Sequence, residues 1–457
     1  MSTGLTAALA KFVSRLEFGA IPEAAWPIVR SGFADCVAAM AAGRNEPVVR
    51  ILTTMLGPGG DGEATLCLGA GRAAAPEAAW INGTAAHALD YDDVALRGHP
   101  SAVLVPALLA EGEALNRTGK EVATAYVAGY EVWADLVDRE RGKHHDKGWH
   151  PTGIFGPLAA AAACARLRRL DAAKTGAALG IAASRAGGLM ANFGAMTKPF
   201  HAGCAAHAGV VAARLAALGM TSAGDAIEHS QGFLNAVSPA GAYHLRETET
   251  GQTWQIVRQG LSIKKYPICF AAHRAVDATL DVARQHGMRA EQVDRVAVSL
   301  SVLAAKLLRN ALPQTELEAK FSVQFAVAAA LIAGNVGLRE LTGEFVRSGA
   351  VQDLIKRVSV ETNENYDTEA PVQSVWDQVH VSLVSGERIS SAQVKRPRGH
   401  PSNPLKPGEL RRKFADCLAA GEVAADAEQL FGMLERIEQL GPVKVLFAGG
   451  VEKTHQV

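Results

Sequence analysis

Val296-Ala297-Val298-Ser299-Leu300 is the first stretch of this 457-residue chain in which large apolar side chains alternate with small or polar ones. Alternation puts every second side chain on one face, the pattern of a half-buried strand. Val358 and Val360 flank Ser359 in the same way. Val379, Val381 and Leu383 alternate with His380 and Ser382 ahead of Ser385-Gly386, a hairpin-type turn. The stretches 319–333 and 338–356 between these strands read as helix. Together they predict an α+β unit of roughly 130 residues.

Everything before this unit reads as helix after helix. Pro22 is placed to open a helix over 24–42, with Gly43 as its stop. Pro76 opens another through Trp80 and Leu89. Thr118 and Glu121 have capping-box spacing ahead of 122–136, and Asp171 starts a helix that runs to Ala183. Beyond the Pro-rich connection from Lys395 to Pro404, the stretch 407–440 returns to helix. The expected fold is therefore mainly α. Both chain ends form one large all-helical domain, and a smaller α+β domain is inserted into it.

Composition agrees with this and excludes several functions. Apolar residues are 48% of the chain and aromatics only 6%, with 45 Gly, which suits closely packed helices. Lys plus Arg and Asp plus Glu are both 46, so no extended basic surface for nucleic acid or anionic membrane is expected. The six Cys form no CxxC, and a chain of this size needs no disulfides, so a reduced, cytoplasmic setting is expected. Leu5, Leu9, Phe12 and Leu16 recur at helical spacing with Lys11 and Arg15 between them, an amphipathic helix rather than an export signal. The charge-free stretch from Phe321 to Leu338 reads as a buried helix and its exit, not a membrane span.

Histidine is unevenly spread: ten of the 14 lie from His87 to His273. Several stand beside Gly or Pro at loop–helix junctions, where side chains reach clefts. One helical turn separates His87 from Asp90 and Asp90 from Asp93, so the three share a face. A partly buried carboxylate near others has a raised pKa, which suits a proton carrier. Asp92 and Asp93 alone read equally well as a solvated helix end. Asp90 together with His99-Pro100 reads as chemistry. His144, His145 and Asp146 invite a metal reading, but adjacent histidines diverge on any regular element and no HExxH is present. They are expected to be loop side chains, with no metal bound.

His150 precedes Pro151-Thr152-Gly153 and a small-residue helix through Ala165, where the helix dipole favours an anion. Lys198, between Thr197 and Pro199 and ahead of His201 and a Gly/Ala-rich helix, also reads as an anion site. His207 is expected on another face, in a structural role. In the run from Lys264 and Lys265 to His273 and Asp277, a lysine would hold a carboxylate and Asp277 would orient the imidazole one turn before it. GxGxxG after a strand, a Walker loop and GxSxG are all missing, so no cofactor is expected. A set of imidazoles, lysines and an aspartate fits proton abstraction next to a carboxylate in a small polyanionic acid.

The strings HALDYDDV from His87, GHPSAVLVPALLA from Gly98, HPTGIFGPLAAAAA from His150, MTKPFHAGCAAHAG from Met196, KKYPICFAAHRAVDA from Lys264 and HPSNPL from His400 resemble the MmgE/PrpD family in the same order. The resemblance covers nearly the whole chain. It implies an all-helical domain over 1–268 and 404–457 with an α+β lid over 269–403, a homodimer without metal or nucleotide, and an active cleft between the domains. By motif, the site residues are Asp90, His99, His150, Lys198 and His273, with Lys265 and His201 as further substrate contacts. The implied activity is that of a cofactor-independent lyase on a small di- or tricarboxylate, most simply a 2-methylcitrate dehydratase-like hydro-lyase. An iminodisuccinate-type epimerase, a cis-aconitate-type decarboxylase and a catalytically silent carboxylate-binding paralogue are the alternatives. Two positions depart from the pattern. Val94 stands where decarboxylase-like members carry Thr, and Phe325 where several relatives carry Tyr. On this reading Lys198→Ala and His150→Ala abolish turnover with the melting temperature nearly unchanged.

Overall fold

The computed structural model describes residues 4–57, 59, 61–140, 143–368, 372–406 and 408–450. The chain is mainly α and divides into two compact units, Met1–Ile263 with Lys406–Val457, and Lys264–Leu405.

The helices of the first unit include α1 Leu5–Arg15, α2 Trp26–Gly43, α3 Pro47–Leu56, α4 Ala75–Ala88, α5 Pro100–Ala114, α6 Gly119–Glu140, α7 Pro151–Leu167, α8 Ala172–Ala183 and α9 Thr197–Ala217. Prolines in the first turns of α4, α5 and α7 start them where no backbone donor is needed. Asp171 caps α8 by accepting from Lys174 N, and Thr118 and Glu121 close a reciprocal cap on α6. The start of α2 departs from expectation. Pro22 caps a single 3₁₀ turn, Glu23–Ala25, and Pro27 opens the α-helix itself. A short pair, β1 Ala64–Thr65 and β2 Arg72–Ala73, joins α3 to α4. Helices α5 and α7 are buried on all sides, which makes them central.

Small residues set how closely these helices cross. A Cβ on Gly203 of α9 would lie 2.2 Å from Thr84 Oγ1 and 2.3 Å from Trp80 O of α4, and one on Gly209 would lie 2.2 Å from Ala160 Cβ of α7. These crossings gather the end of α4 and the starts of α7 and α9.

In the second unit the alternating stretch becomes β3 Val293–Ser301, with Val296, Val298 and Leu300 all buried. It pairs in parallel with β4 Val358–Asn363 and antiparallel with β5 Gln378–Leu383, which pairs onward with β6 Arg388–Ser390. Val296 faces Val358 on one side and Val381 on the other, so the valine ladder crosses the sheet. The helices His273–His286 and Val323–Ala333 contribute to the same core. The helix expected over 319–333 is interrupted. Ser322 turns extended and its hydroxyl accepts from Phe325 N, which starts a new helix that ends on left-handed Gly334. The stretch 338–356 likewise splits into Gly343–Val346 and Gly349–Ile355, and 407–440 into Glu409–Ala420, Ala427–Leu434 and a 3₁₀ turn.

Candidate active site

The site grows from the loop that leaves α4. Asp90 adopts a left-handed conformation, φ +52°, which ends the helix; aspartate tolerates that region better than most residues. Lys413, from the helix Glu409–Ala420, then anchors the loop. Its Nζ donates to Tyr91 O at 2.7 Å and Asp35 Oδ1 at 2.6 Å and sits 3.8 Å over the Tyr91 ring. Val94 bridges Ser262 in both directions. Ala95 and Gly98 close a two-residue turn with Leu96 and Arg97 both at positive φ, a type I′ geometry normally given to Asn or Gly. Each such L-residue costs about 1–2 kcal/mol. Gly98 lies against Trp133, and a Cβ there would be 2.8 Å from its ring. The next residue, His99, donates its backbone N–H to Thr152 Oγ1 in the first turn of α7.

Four elements of the first unit deliver a continuous set of groups. Lys198 Nζ donates to Asp90 Oδ1 at 2.6 Å, and His99 Nε2 lies 3.9 Å from the same oxygen. His99 Nδ1 is 2.9 Å from Asp92 Oδ2 and 3.0 Å from Asp93 O. The other Asp92 oxygen is 2.8 Å from His87 Nδ1, and the His87 and His99 rings sit 4.2 Å apart. The His150 and His201 Nδ1 atoms are 3.1 Å apart, so one donates to the other. Gly188 makes room for His201: a Cβ there would approach its ring at 3.1 Å. The Phe193 ring meets His150 edge-on and lies 5.5 Å from Lys198 Nζ.

Burial fixes the charges. Asp92 is 0% exposed; burial alone would raise its pKa, but His87 and His99 hold it well below the usual carboxylate range. Burial, reinforced by Asp35 and Asp92, pushes Asp93 well above the usual carboxylate range. Burial drives His87 down to about 3. Burial and then Lys198 drive His150 well below the ordinary imidazole value and His201 down to about 4. The result is the Lys198–Asp90 pair and Asp92 set among neutral His87, His150 and His201 rings, all buried.

Asp90, His99, His150, Lys198 and His201 lie together in the first unit. Sequence reasoning missed His87 and Asp92 as members. Asp92 and Asp93 are not a solvated helix end; both are fully buried. His273 and Lys265 belong to the second unit. His273 is buried, with Nε2 3.3 Å from Ile268 O. Asp277 does not orient it. That carboxylate accepts from Tyr266 Oη at 2.7 Å and from Arg398 N and Nη1 at 2.7 and 2.9 Å. His144 is no exposed loop side chain; it is buried against Glu140, one turn back. His207 packs on the Trp80 ring at 4.7 Å with Arg185 beside it, a structural place as expected.

Ligand-type atoms of His87, Asp90, Asp92 and His99 lie within 4.8 Å of one another, the one such grouping among the described residues. The Lys198 ammonium already neutralises Asp90 there, and both Nδ1 atoms face Asp92. A divalent ion would have to displace a cation and the His87–Asp92 hydrogen bond, so the donor set fits protons better than metal.

The His201 assignment carries a pH prediction. A depressed pKa makes its stabilising contribution complete above pH 6.5 and progressively lost as pH falls toward about 4, because the unfolded chain takes up a proton the buried ring refuses. His201→Asn retains an amide beside His150 and does not titrate. Its urea midpoint is expected to gain on that of the parent as pH falls through this window. Parallel midpoints at both ends of the window would place the His201 ring in water instead.

Comparison with known proteins agrees with the motifs. The MmgE/PrpD N-terminal domain matches residues 7–246 and the MmgE/PrpD C-terminal domain residues 266–437. The chain is 28% identical over 382 residues to the cis-aconitate decarboxylase of Mus musculus, covering 81% of this chain and 77% of that protein. It is 27% identical to the enzyme of that name from Homo sapiens, covering 81% and 78%. Its identity to the one from Aspergillus terreus strain NIH 2624 is 25%, covering 96% and 95%. With both domain models matched in order along one chain, the protein belongs to the MmgE/PrpD family.

Proposed function

We propose that the protein is a cofactor-independent lyase that abstracts a proton next to a carboxylate of a small di- or tricarboxylate, and that it dehydrates a 2-methylcitrate-type hydroxy acid. The observation that carries this reading is the buried Lys198–Asp90 ion pair set against His99. With Nδ1 turned to Asp92 and the Asp93 carbonyl, His99 presents its Nε2 lone pair on the side of Asp90 and Lys198. It takes the proton as general base. Lys198 and His150 receive the substrate carboxylates, and the lysine charge stabilises the enolate-like anion that develops. The hydroxyl leaves with a proton from a second acid, as water. The assignments of His273 and Lys265 rest on their motif alone.

Decarboxylation of cis-aconitate is the second reading, favoured by the names of the relatives. Val94, which brings no hydroxyl to the loop before His99, favours dehydration. Purified protein is to be incubated in D₂O with 2-methylcitrate, citrate and cis-aconitate and followed by NMR and ultraviolet absorbance. Growth of alkene with release of water supports dehydration; carbon dioxide release replaces it with the second reading. Optical rotation changing alone on an imino- or amino-diacid would indicate an epimerase, and thermal stabilisation without turnover a silent binding paralogue. Treatment with EDTA is expected to leave turnover unchanged. Loss restored by a divalent ion would overturn the metal-free reading of the His87, Asp90, Asp92 and His99 grouping.

A further inference from the structure

One carboxylate serves two imidazoles. Asp92 accepts from His87 Nδ1 on Oδ1 at 2.8 Å, and its Oδ2 lies 2.9 Å from His99 Nδ1 at ion-pair distance without a hydrogen bond, with no exposure to solvent. His87 is equally buried, and among the described residues its Nε2 has no hydrogen-bond partner, so Asp92 is its one side-chain hydrogen bond. We propose that Asp92 is the positioning residue of the base His99, and that His87 is a brace which holds the far oxygen of Asp92 so that the near one stays on His99. This rests on the reading of His99 as the base and adds to it a specific charge that makes His99 basic.

The geometry separates two effects at His99 Nδ1. The Asp93 carbonyl, 3.0 Å away, accepts from Nδ1–H and holds the tautomer. Only Asp92 supplies negative charge at that nitrogen. When Nε2 takes a proton, the imidazolium that forms is compensated by Asp92 within the pocket. Asp90 and Lys198 face the Nε2 side as an already neutralised pair, neutral His87 faces the ring, and neutral His150 lies 6.1 Å from the His87 ring. His87 matters because a brace that donates one hydrogen bond keeps the buried carboxylate ionised. Without it, Asp92 Oδ1 is left unsatisfied in a dry site, and the carboxylate takes a proton.

The test has three arms. In the parent protein labelled with ¹⁵N-histidine, with His99→Gln identifying the resonance, His99 is expected as the neutral Nδ1–H tautomer. The Nε2–H tautomer would overturn the proposal, and this arm needs neither substrate nor turnover. Next, Asp92→Asn is expected to lower kcat/KM at least about tenfold and to move the acid limb of its pH profile down by about one unit or more. An unmoved limb would overturn the proposal even with activity reduced, because a merely structural loss leaves the profile in place. Finally, His87→Asn, whose amide nitrogen replaces Nδ1, is expected to keep activity within about threefold, while His87→Leu reproduces the Asp92→Asn profile. Equal loss in both His87 variants would overturn the brace. If no tricarboxylate is turned over, the lyase reading fails while the tautomer still decides the assignment of His99 Nδ1.

Discussion

Lys198→Met is expected to lower turnover by at least about 10²–10³-fold and to destabilise the protein. The loss of rate follows from removing the cation that pairs with Asp90 and, on the proposed reading, stabilises the developing anion. The loss of stability follows from burial. Lys198 is 5% exposed and Asp90 is 5% exposed, and the variant leaves the carboxylate without its 2.6 Å partner. Breaking a buried pair on one side costs about 3–5 kcal/mol. This departs from the expectation that a binding lysine can be removed with the melting temperature unchanged, which holds only for an exposed side chain. The cost depends on pH. In the variant the folded pKa of Asp90 rises, so the folded state binds a proton more readily than the unfolded chain, and stability falls as pH rises. Urea midpoints of Lys198→Met are therefore expected to approach the parent at acid pH and diverge from it at neutral pH. Lys198→Met combined with Asp90→Asn is expected to recover most of the stability and none of the activity. A single variant that is inactive but as stable as the parent at neutral pH would mean that the ion pair is not formed.

Most of the fold was legible because its signals are local. The alternation of Val296, Val298 and Leu300, the prolines that open α4 and α7, and the cap at Thr118 and Glu121 each act within a turn or two of chain. Element ends were less legible. The break at Ser322 depends on one hydroxyl choosing a backbone N–H, and helical periodicity runs straight through it. At the site, Asp90, His99, His150, Lys198 and His201 were legible through the chemistry of their surroundings in sequence. His87 and Asp92 were not. They are five residues apart, a spacing that shares no helix face, and they meet because Asp90 turns left-handed between them. Asp277 failed for the converse reason. Its i, i+4 spacing from His273 is correct for contact, but Tyr266 and Arg398, distant in sequence, claim the carboxylate.

The helix crossings that gather the site were not read from sequence either, and they carry a second large expected effect on folding. Gly203→Val is expected to destabilise the first unit by about 3 kcal/mol or more, about 6–12 °C in Tm, and to abolish activity with it. A Cβ at Gly203 meets the Trp80 carbonyl at 2.3 Å and Thr84 Oγ1 at 2.2 Å, and Gly83 of the same helix lies behind them against the Gly203 Cα. The hydroxyl of Thr84 can rotate away, but the Trp80 carbonyl belongs to the backbone of α4 and is fixed by the helix. The two added methyl groups of valine therefore push α9 and α4 apart. That displacement separates Lys198 and His201, at the start of α9, from Asp90 and His87, at the end of α4. Gly224→Ala is the control, since nothing lies within 4 Å of a Cβ there and its φ is ordinary; it is expected to change stability by less than about 0.5 kcal/mol. Thermal and urea denaturation of the two variants, alongside turnover, decides the matter. A Gly203→Val protein that melts with the parent would show that α4 and α9 do not cross at this glycine, and the site built on that crossing would have to be drawn differently.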